Sequence, residues 1–257
     1  MNSILSSLER QNQILQLVAR SQRVSVSQVC ETFTISEATA RRDLETLAGQ
    51  GRVQRVHGGA IALSEAPPES PIHMREGEQA DEKARIGQAA AALVRDGETV
   101  FLGSGTTVLG VARALRAFSH LTVITNSLPV INVFAGLENF NVICLGGMLR
   151  GSELSFIGHI TEQAIAEVRA DKVFIGIRAI NLEHGLTNEY LPETMTDRAI
   201  LKSGEEIIVV ADHTKFGRAA TVLLAPLESI HTLVTDSGTP QDFLDSFQER
   251  GLRVVTA

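Results

Sequence analysis

The stretch VSVSQVCETFTISEATARRDLETLAGQGRVQRVHGGA, residues 24–60, decides how the N-terminal quarter of the chain folds. Ser25 and Gln28 form an S-x-x-Q capping-box pattern that opens a helix through Val29 to Thr32. After the break TIS, Ser36 caps a further helix running to about Ala48, which Gly49 and Gly51 stop. RVQRVHGGAIAL then alternates Val53 and Val56 with polar residues and turns at Gly58-Gly59, the pattern of a β-hairpin. Upstream, Leu8, Ile14, Leu15, Leu17 and Val18 recur at helical spacing from about residue 3 to 20. Helix, helix, short turn, helix and hairpin, in that order, make a winged helix-turn-helix.

The helix after Ser36 is tested by angle. At about 100° per residue, Ala40, Leu44 and Leu47 share one face with Ala48 at its edge. Arg42 points almost directly away, flanked by Ala38, Thr39 and Thr46, and Arg41 falls at the boundary. One apolar face and an opposite face of small residues plus arginine suit insertion into a DNA major groove. A solvated face that happens to carry arginines is the plainer alternative.

The charge supports the first reading. The chain has 257 residues and a formal net charge of −7, yet residues 1–60 carry seven Arg against five acids. The basic head is thus attached to a strongly acidic body, as expected when only one part meets a polyanion. With no Trp and one Tyr, single-strand binding by base stacking is not expected. No apolar run approaches the ~20 residues of a membrane span, and the N-terminus lacks a secretory pattern. Cys30 and Cys144 lie in apolar-periodic segments and are expected to be buried free thiols in a reducing cytoplasm. No metal-ligand spacing occurs.

Residues 61–81, with Pro67, Pro68 and Pro71 among many acids, read as an extended polar linker between domains 1–60 and 82–257. The second domain starts at a helix, EKARIGQAAAALV. Seven short Val/Ile-rich runs follow: ETVFLGSG, LTVIT, FNVICLGG, DKVFIGI, EEIIVVAD, HTLVTD and LRVVTA. Helical stretches separate most of them, around 106–118, 127–137, 160–169, 193–203 and 240–250. Consecutive apolar positions mark strands buried on both faces, so an α/β domain with a largely parallel sheet is expected. Ligands of such sheets sit at the carboxyl ends of strands.

After ETVFL comes Gly103-Ser104-Gly105-Thr106-Thr107, leading into a helix. Glycines let a backbone approach closely, and a helix N-terminus offers unpaired N–H groups to an anion. The loop fits one phosphate, or is a plain strand-to-helix turn; it is neither a Walker A loop nor a dinucleotide fingerprint. Other strand ends run into Thr125-Asn126-Ser127, Gly146-Gly147 and Asp212-His213-Thr214-Lys215. Lysine occurs four times in the chain, so Lys215 beside Asp212 is either a ligand partner or an exposed loop residue. His159, His184, His213 and His231 are scattered and suit structural or surface roles.

These residues carry a family resemblance. Arg41-Arg42-Asp43-Leu44 and Val56-His57-Gly58-Gly59-Ala60 closely resemble the N-terminal signature of DeoR-type bacterial repressors, with Ile35-Ser36 where Val-Ser is usual. The similarity continues through EKARIG, GSGTT, TNS, LGG, DKVFIGI, GLTN and VVADHTKFG, covering about residues 9 to 255. The resemblance implies an N-terminal domain on double-stranded operator DNA. It implies a second domain of ribose-phosphate isomerase type, kept as a sensor of a phosphorylated sugar or related metabolite. By position, Gly103, Ser104, Gly105, Thr106 and Thr107 would hold the phosphate, and Asn126, Gly147, Asp212 and Lys215 would line the remaining pocket. One departure stands out: Asp197 replaces a lysine usual in the segment after GLTN, which reverses the local charge and favours hydroxyl groups.

The expected protein is a cytoplasmic repressor of a carbohydrate operon, a homodimer or homotetramer, with no catalytic residues and no cofactor or metal. Ser36, Thr39, Arg41 and Arg42 would meet bases or nearby phosphates, and Arg52, Arg55 and His57 in the wing would meet the backbone or minor groove. The alternatives are a sugar-phosphate isomerase or deaminase with an accessory head, using Asp197, Glu193 or Asp212 as base, and a winged-helix adaptor for proteins.

Overall fold

The computed structural model describes residues 6–21, 23–49, 52–62 and 69–257. Residues 3–5 of the expected first helix, and Gly51, Pro67 and Pro68, lie outside the described residues. The chain divides into two compact units, Met1–Glu65 and Ala66–Ala257.

The first unit runs α1 (Ser7–Ser21), β1 (Arg23–Ser25), α2 (Val26–Phe33), α3 (Glu37–Gly49), β2 (Val53–Val56) and β3 (Gly59–Ala62). Ser25 caps α2 by accepting a hydrogen bond from the Gln28 N–H at 3.1 Å. Ser36 accepts from the Thr39 N–H at 3.3 Å and starts α3. Such caps satisfy backbone donors that a helix leaves unpaired, each worth roughly 1 kcal/mol. The strands form an antiparallel sheet in the order β1-β3-β2. β1 is not evident in the sequence, because three residues are too few to show alternation.

The hairpin pairs Val56 with Gly59, so its turn is His57-Gly58 rather than Gly58-Gly59. Gly58 takes the left-handed conformation, φ +78°. Gly59 is instead a packing glycine, since a Cβ there would sit 2.0 Å from the Val24 carbonyl oxygen. Ile14, Val18, Val24, Val29, Ala40, Leu44, Leu47, Val53 and Ala60 make the core. Leu8, expected among them, is exposed.

The second unit begins with α4 (Ile72–Arg75) and α5 (Ala80–Ala91), followed by β4 (Thr99–Leu102), α6 (Thr106–Leu115), β5 (Leu121–Thr125), α7 (Leu128–Phe134) and β6 (Phe140–Cys144). A hairpin of β7 (Met148–Arg150) and β8 (Ser155–Ile157) leads to α8 (His159–Ala166) and β9 (Ala170–Gly176). Then come β10 (Ala179–Asn181), β11 (Gly185–Asn188), α9 (Leu191–Leu201), β12 (Gly204–Val210), β13 (Val222–Ala225), β14 (Thr232–Thr235), α10 (Gln241–Glu249) and β15 (Arg253–Thr256).

Seven strands form one sheet in the order β15-β14-β12-β9-β4-β5-β6, parallel throughout. They are the seven apolar runs of the sequence. Along β9, Val173 and Ile175 enter one buried cluster while Phe174 enters the other on the opposite face. Both faces are thus covered, which is why the runs are apolar at consecutive positions. A smaller antiparallel sheet, β10-β11-β13, completes the unit.

Two expectations change here. Residues 69–81 belong to the second unit: Ile72 and Arg75 are buried, and the Ile72 N–H donates to the Ser152 carbonyl at 2.8 Å. Proline and acid content made this segment look like linker, but one isoleucine and one arginine anchor it. The thiols are not both buried either, since Cys30 is half-buried and Cys144 is exposed at the end of edge strand β6.

Helices α5 and α6 meet backbone to backbone. A Cβ on Gly87 would lie 2.5 Å from the Gly110 carbonyl carbon, and one on Gly110 would lie 2.7 Å from the Lys83 carbonyl oxygen. Among the described residues no helix is long and apolar enough to cross a membrane, and no group of three or more His, Cys, Asp or Glu is placed to hold a metal ion.

Candidate functional site

In the first unit, α3 buries Ala40, Asp43, Leu44 and Leu47 and exposes Arg41 and Arg42. Arg41, expected at the boundary, is well exposed and paired to Glu37 one turn earlier at 2.5 Å. Asp43 faces inward. Its carboxylate accepts from Arg10 Nε at 2.6 Å and Nη2 at 3.3 Å, and from Gln11 Nε2 at 3.0 Å, tying α3 to α1. The Arg-Arg-Asp-Leu run therefore presents two arginines and buries the next two residues.

Ser36 and Thr39 hydroxyls bond to each other at 2.9 Å at the start of α3. Arg55 donates to the Gly59 carbonyl across the hairpin, and Arg52 lies 3.4 Å from Asn12 Oδ1. Arg41, Arg55 and His57 line one groove with residues of α2 and the wing turn. Cationic side chains on a helix and an adjoining hairpin match phosphate and groove contacts on DNA.

In the second unit a cleft opens at the carboxyl ends of β4, β9 and β12. The Gly103 N–H donates to the Phe174 carbonyl at 3.0 Å, which fixes where the loop leaves β4. Gly105, at φ +105°, turns the chain into α6, whose first N–H groups no side chain caps. Thr106 and Thr107 are each only 7% exposed, line the cleft, and hydrogen-bond through their hydroxyls to nothing among the described residues. Hydroxyls held this way at a cleft wall stay available to hydrogen-bond a bound group.

Asp212, buried at the end of β12, accepts from the Thr214 N–H at 2.9 Å and caps the turn His213–Lys215. That turn carries Lys215 to the cleft, where its ammonium has no hydrogen bond or ion pair among the described residues. Burial lowers the Lys215 pKa, with Asp212 opposing. Lys83 on α5 donates to the Arg75 and Glu78 carbonyls, and burial lowers its pKa as well.

The far wall is acidic. Glu193 and Asp197 lie one turn apart on α9, both buried. Glu193 accepts from Ser155 Oγ at 2.8 Å and pairs with Arg150, which also sits 4.6 Å above the Tyr190 ring. Ser104 Oγ is 3.5 Å from Glu193 Oε1, so the loop and α9 nearly touch. Asp197 accepts from Asn188 Nδ2 at 2.9 Å. Burial raises the pKa of both carboxyls, and for Asp197 the Glu193 charge adds to it.

Arg75 completes the site, pairing with Glu153 at 2.5 Å and Glu69 at 2.9 Å. Burial and the Glu69 charge nonetheless push Glu153 up to about 7, outweighing the pull of Arg75. A carboxyl with a raised folded pKa holds a proton that the unfolded chain has released, so stability falls as pH climbs from the ordinary carboxylate range toward 7. The unliganded second unit is expected to melt at lower temperature at pH 7 than at pH 5, by on the order of 2 kcal/mol from this group. Glu153→Gln should reduce that slope, leaving the part due to the raised Glu193 and Asp197 carboxyls. A melting temperature that climbs over the interval, or a slope the variant leaves untouched, contradicts the assignment.

Of the residues singled out in the sequence, Ser104, Gly105, Thr106, Thr107, Asp197, Asp212 and Lys215 line this cleft. Gly103, Asn126 and Gly147 do not. Gly103 supports the loop from below, against Phe174 and Ile175. Asn126 is buried and donates to the Phe156 carbonyl at 2.9 Å. Gly147 makes room for the Thr161 side chain, since a Cβ there would lie 2.0 Å from its hydroxyl oxygen. Missed by the sequence reading were Arg75, Glu69, Glu153, Arg150 and Arg178. Arg178 stands two residues beyond β9 and Arg150 ends β7, so extending the strand-end search to the next charged residue would have found Arg178.

Comparison with known proteins places both stretches of the chain in one family. Residues 10–66 match the DeoR-like helix-turn-helix domain, and residues 78–237 match the DeoR C terminal sensor domain. The glycerol-3-phosphate regulon repressor of Escherichia coli K12 is 36% identical over 92% of this chain and 93% of its own length. The transcriptional repressor AccR of Agrobacterium fabrum is 34% identical over 91% of each. The transcriptional regulator IolR of Bacillus subtilis is 30% identical over 91% of this chain and 93% of its own. Among solved structures, ribose 5-phosphate isomerase A of Methanocaldococcus jannaschii aligns with 54% of this chain and 55% of its own, at a TM-score of 0.40 and 18% identity.

Proposed function

The chain belongs to the DeoR family of transcriptional repressors, and from that premise we propose that it represses a carbohydrate-metabolism operon under control of a phosphorylated sugar or related metabolite. In this reading it works in the cytoplasm as a homodimer or homotetramer. One short helix reads too few base pairs for specificity, and two heads on paired half-sites multiply it. Arg41 and Arg42 on α3 contact base edges or adjacent phosphates. Arg52, Arg55 and His57 contact the backbone or minor groove.

The observation that carries the effector assignment is the set of unmet donors at the cleft. The uncapped start of α6, the Thr106 and Thr107 hydroxyls and the Lys215 ammonium converge on one opening, and none has a hydrogen-bond partner from a side chain. Donors gathered at a helix N-terminus with a lysine beside them fit a phosphate. We assign the carboxylates of the cleft no catalytic role; the chain's relatives are repressors.

The test is a thermal-shift screen against phosphorylated sugars and polyols, followed by promoter-DNA binding with and without each hit. A Thr106→Glu variant puts a carboxylate where the phosphate would sit. It is expected to bind DNA as the wild type does while its effector affinity falls by on the order of 100-fold. A variant that still responds normally places the effector elsewhere.

A further inference from the structure

We propose that the effector carries a protonated amine as well as a phosphate, and that Asp197 is the group that receives the amine. The inference rests on the phosphate reading of the loop 103–107 given above and specifies the ligand further.

Asp197 is a buried carboxyl of the cleft with no cation in ion-pair reach among the described residues; Arg150, held by Glu193, acts on it only from farther off. Glu193 has Arg150, and Glu69 and Glu153 share Arg75. Asp212 is engaged by the turn it caps. Asp197, 6% exposed, has only the Asn188 amide. A separate observation marks the cleft as a ligand site, namely the Thr106 and Thr107 side chains that line it, nine-tenths buried as residues and with no hydrogen-bond partner for their hydroxyls among the described residues.

Charge then selects the class of ligand. Seven carboxyl groups and five cationic side chains line the cleft, and burial favours the neutral form of Glu153, Glu193 and Asp197. A hydroxyl at Asp197 leaves that carboxyl neutral. An ammonium lets Asp197 ionise beside Glu193 and gives a charge-assisted hydrogen bond, roughly twice as strong as a neutral one. Geometry sets the spacing. Ser104 touches the Glu193 end of α9 at 3.5 Å, and Asp197 lies one turn farther along, about 5–6 Å. A phosphorylated amino sugar, with its amine several bonds from the phosphorus, spans that distance.

Isothermal titration of the full-length protein with two matched pairs tests this: glucosamine 6-phosphate against glucose 6-phosphate, and galactosamine 6-phosphate against galactose 6-phosphate. At least one amino sugar is expected to bind about ten-fold or more tightly than its hydroxyl counterpart. Asp197→Asn, which keeps shape but cannot ionise, is expected to reduce that preference to two-fold or less. Hydroxyl sugars that bind as tightly as the amino sugars overturn the proposal, as does a preference that survives Asp197→Asn. If glycerol 3-phosphate or inorganic phosphate binds and neither amino sugar does, the amine assignment alone falls. If no phosphorylated compound binds, the phosphate reading falls with it.

Discussion

Arg42→Ala is expected to remove specific operator binding while leaving both units folded. Arg42 is exposed on the face of α3 opposite Ala40, Leu44 and Leu47, so its loss disturbs no core contact. A bidentate arginine–base contact discriminates by about 1–3 kcal/mol, and a two-headed complex loses it twice. Affinity for the operator should therefore drop by about 2–6 kcal/mol, toward the level of unrelated DNA. Fluorescence anisotropy on promoter and scrambled duplexes at one salt concentration measures both. Unchanged discrimination would move the reading surface away from α3.

The neighbouring residue should behave in the opposite way. Asp43→Ala leaves the Arg10 guanidinium, whose side chain is 14% exposed, without the carboxylate it grips from two sides. Removing one partner of a buried ion pair costs up to about 3–5 kcal/mol, and the Gln11 amide loses its acceptor at the same time. A winged-helix unit of this size has little more than that in reserve. The first unit should unfold or melt far below the second, visible as lost helical circular dichroism and rapid proteolysis confined to the first 62 residues. DNA binding then fails through loss of structure, without any defect at the reading surface. A first unit that melts normally in Asp43→Ala would show that the Arg10–Asp43 pair does not hold α3 to α1.

This contrast also shows what was legible in the sequence. Helical periodicity separated Arg42 from Ala40, Leu44 and Leu47 correctly, yet it gave Asp43 no role, since a buried aspartate is decided by a partner 33 positions earlier. The large sheet was readable because parallel strands buried on both faces leave uninterrupted apolar runs. The short strands β7, β8, β10, β11 and β13 were not, because three or four residues carry no periodic signal. In the cleft, the loop 103–107, Asp212 and Lys215 were found by looking at strand ends. Asn126 and Gly147 occupy strand ends too but serve packing and backbone hydrogen bonds. Arg75 was lost because its segment has the composition of a linker and is held down by few residues.

The glycine contact between α5 and α6 has a mechanical consequence. Most packed helices touch through side chains, which can absorb a small movement by changing rotamer. Gly87 and Gly110 leave no such cushion, and their backbones press directly on one another. α6 begins at the loop that would close on a phosphate, and α5 is the first long helix after the segment leading out of the DNA-binding unit. A shift of α6 at its loop end would therefore meet α5 with no side chain between to absorb it, and α5 lies on the part of the chain nearest in sequence to the DNA-binding unit.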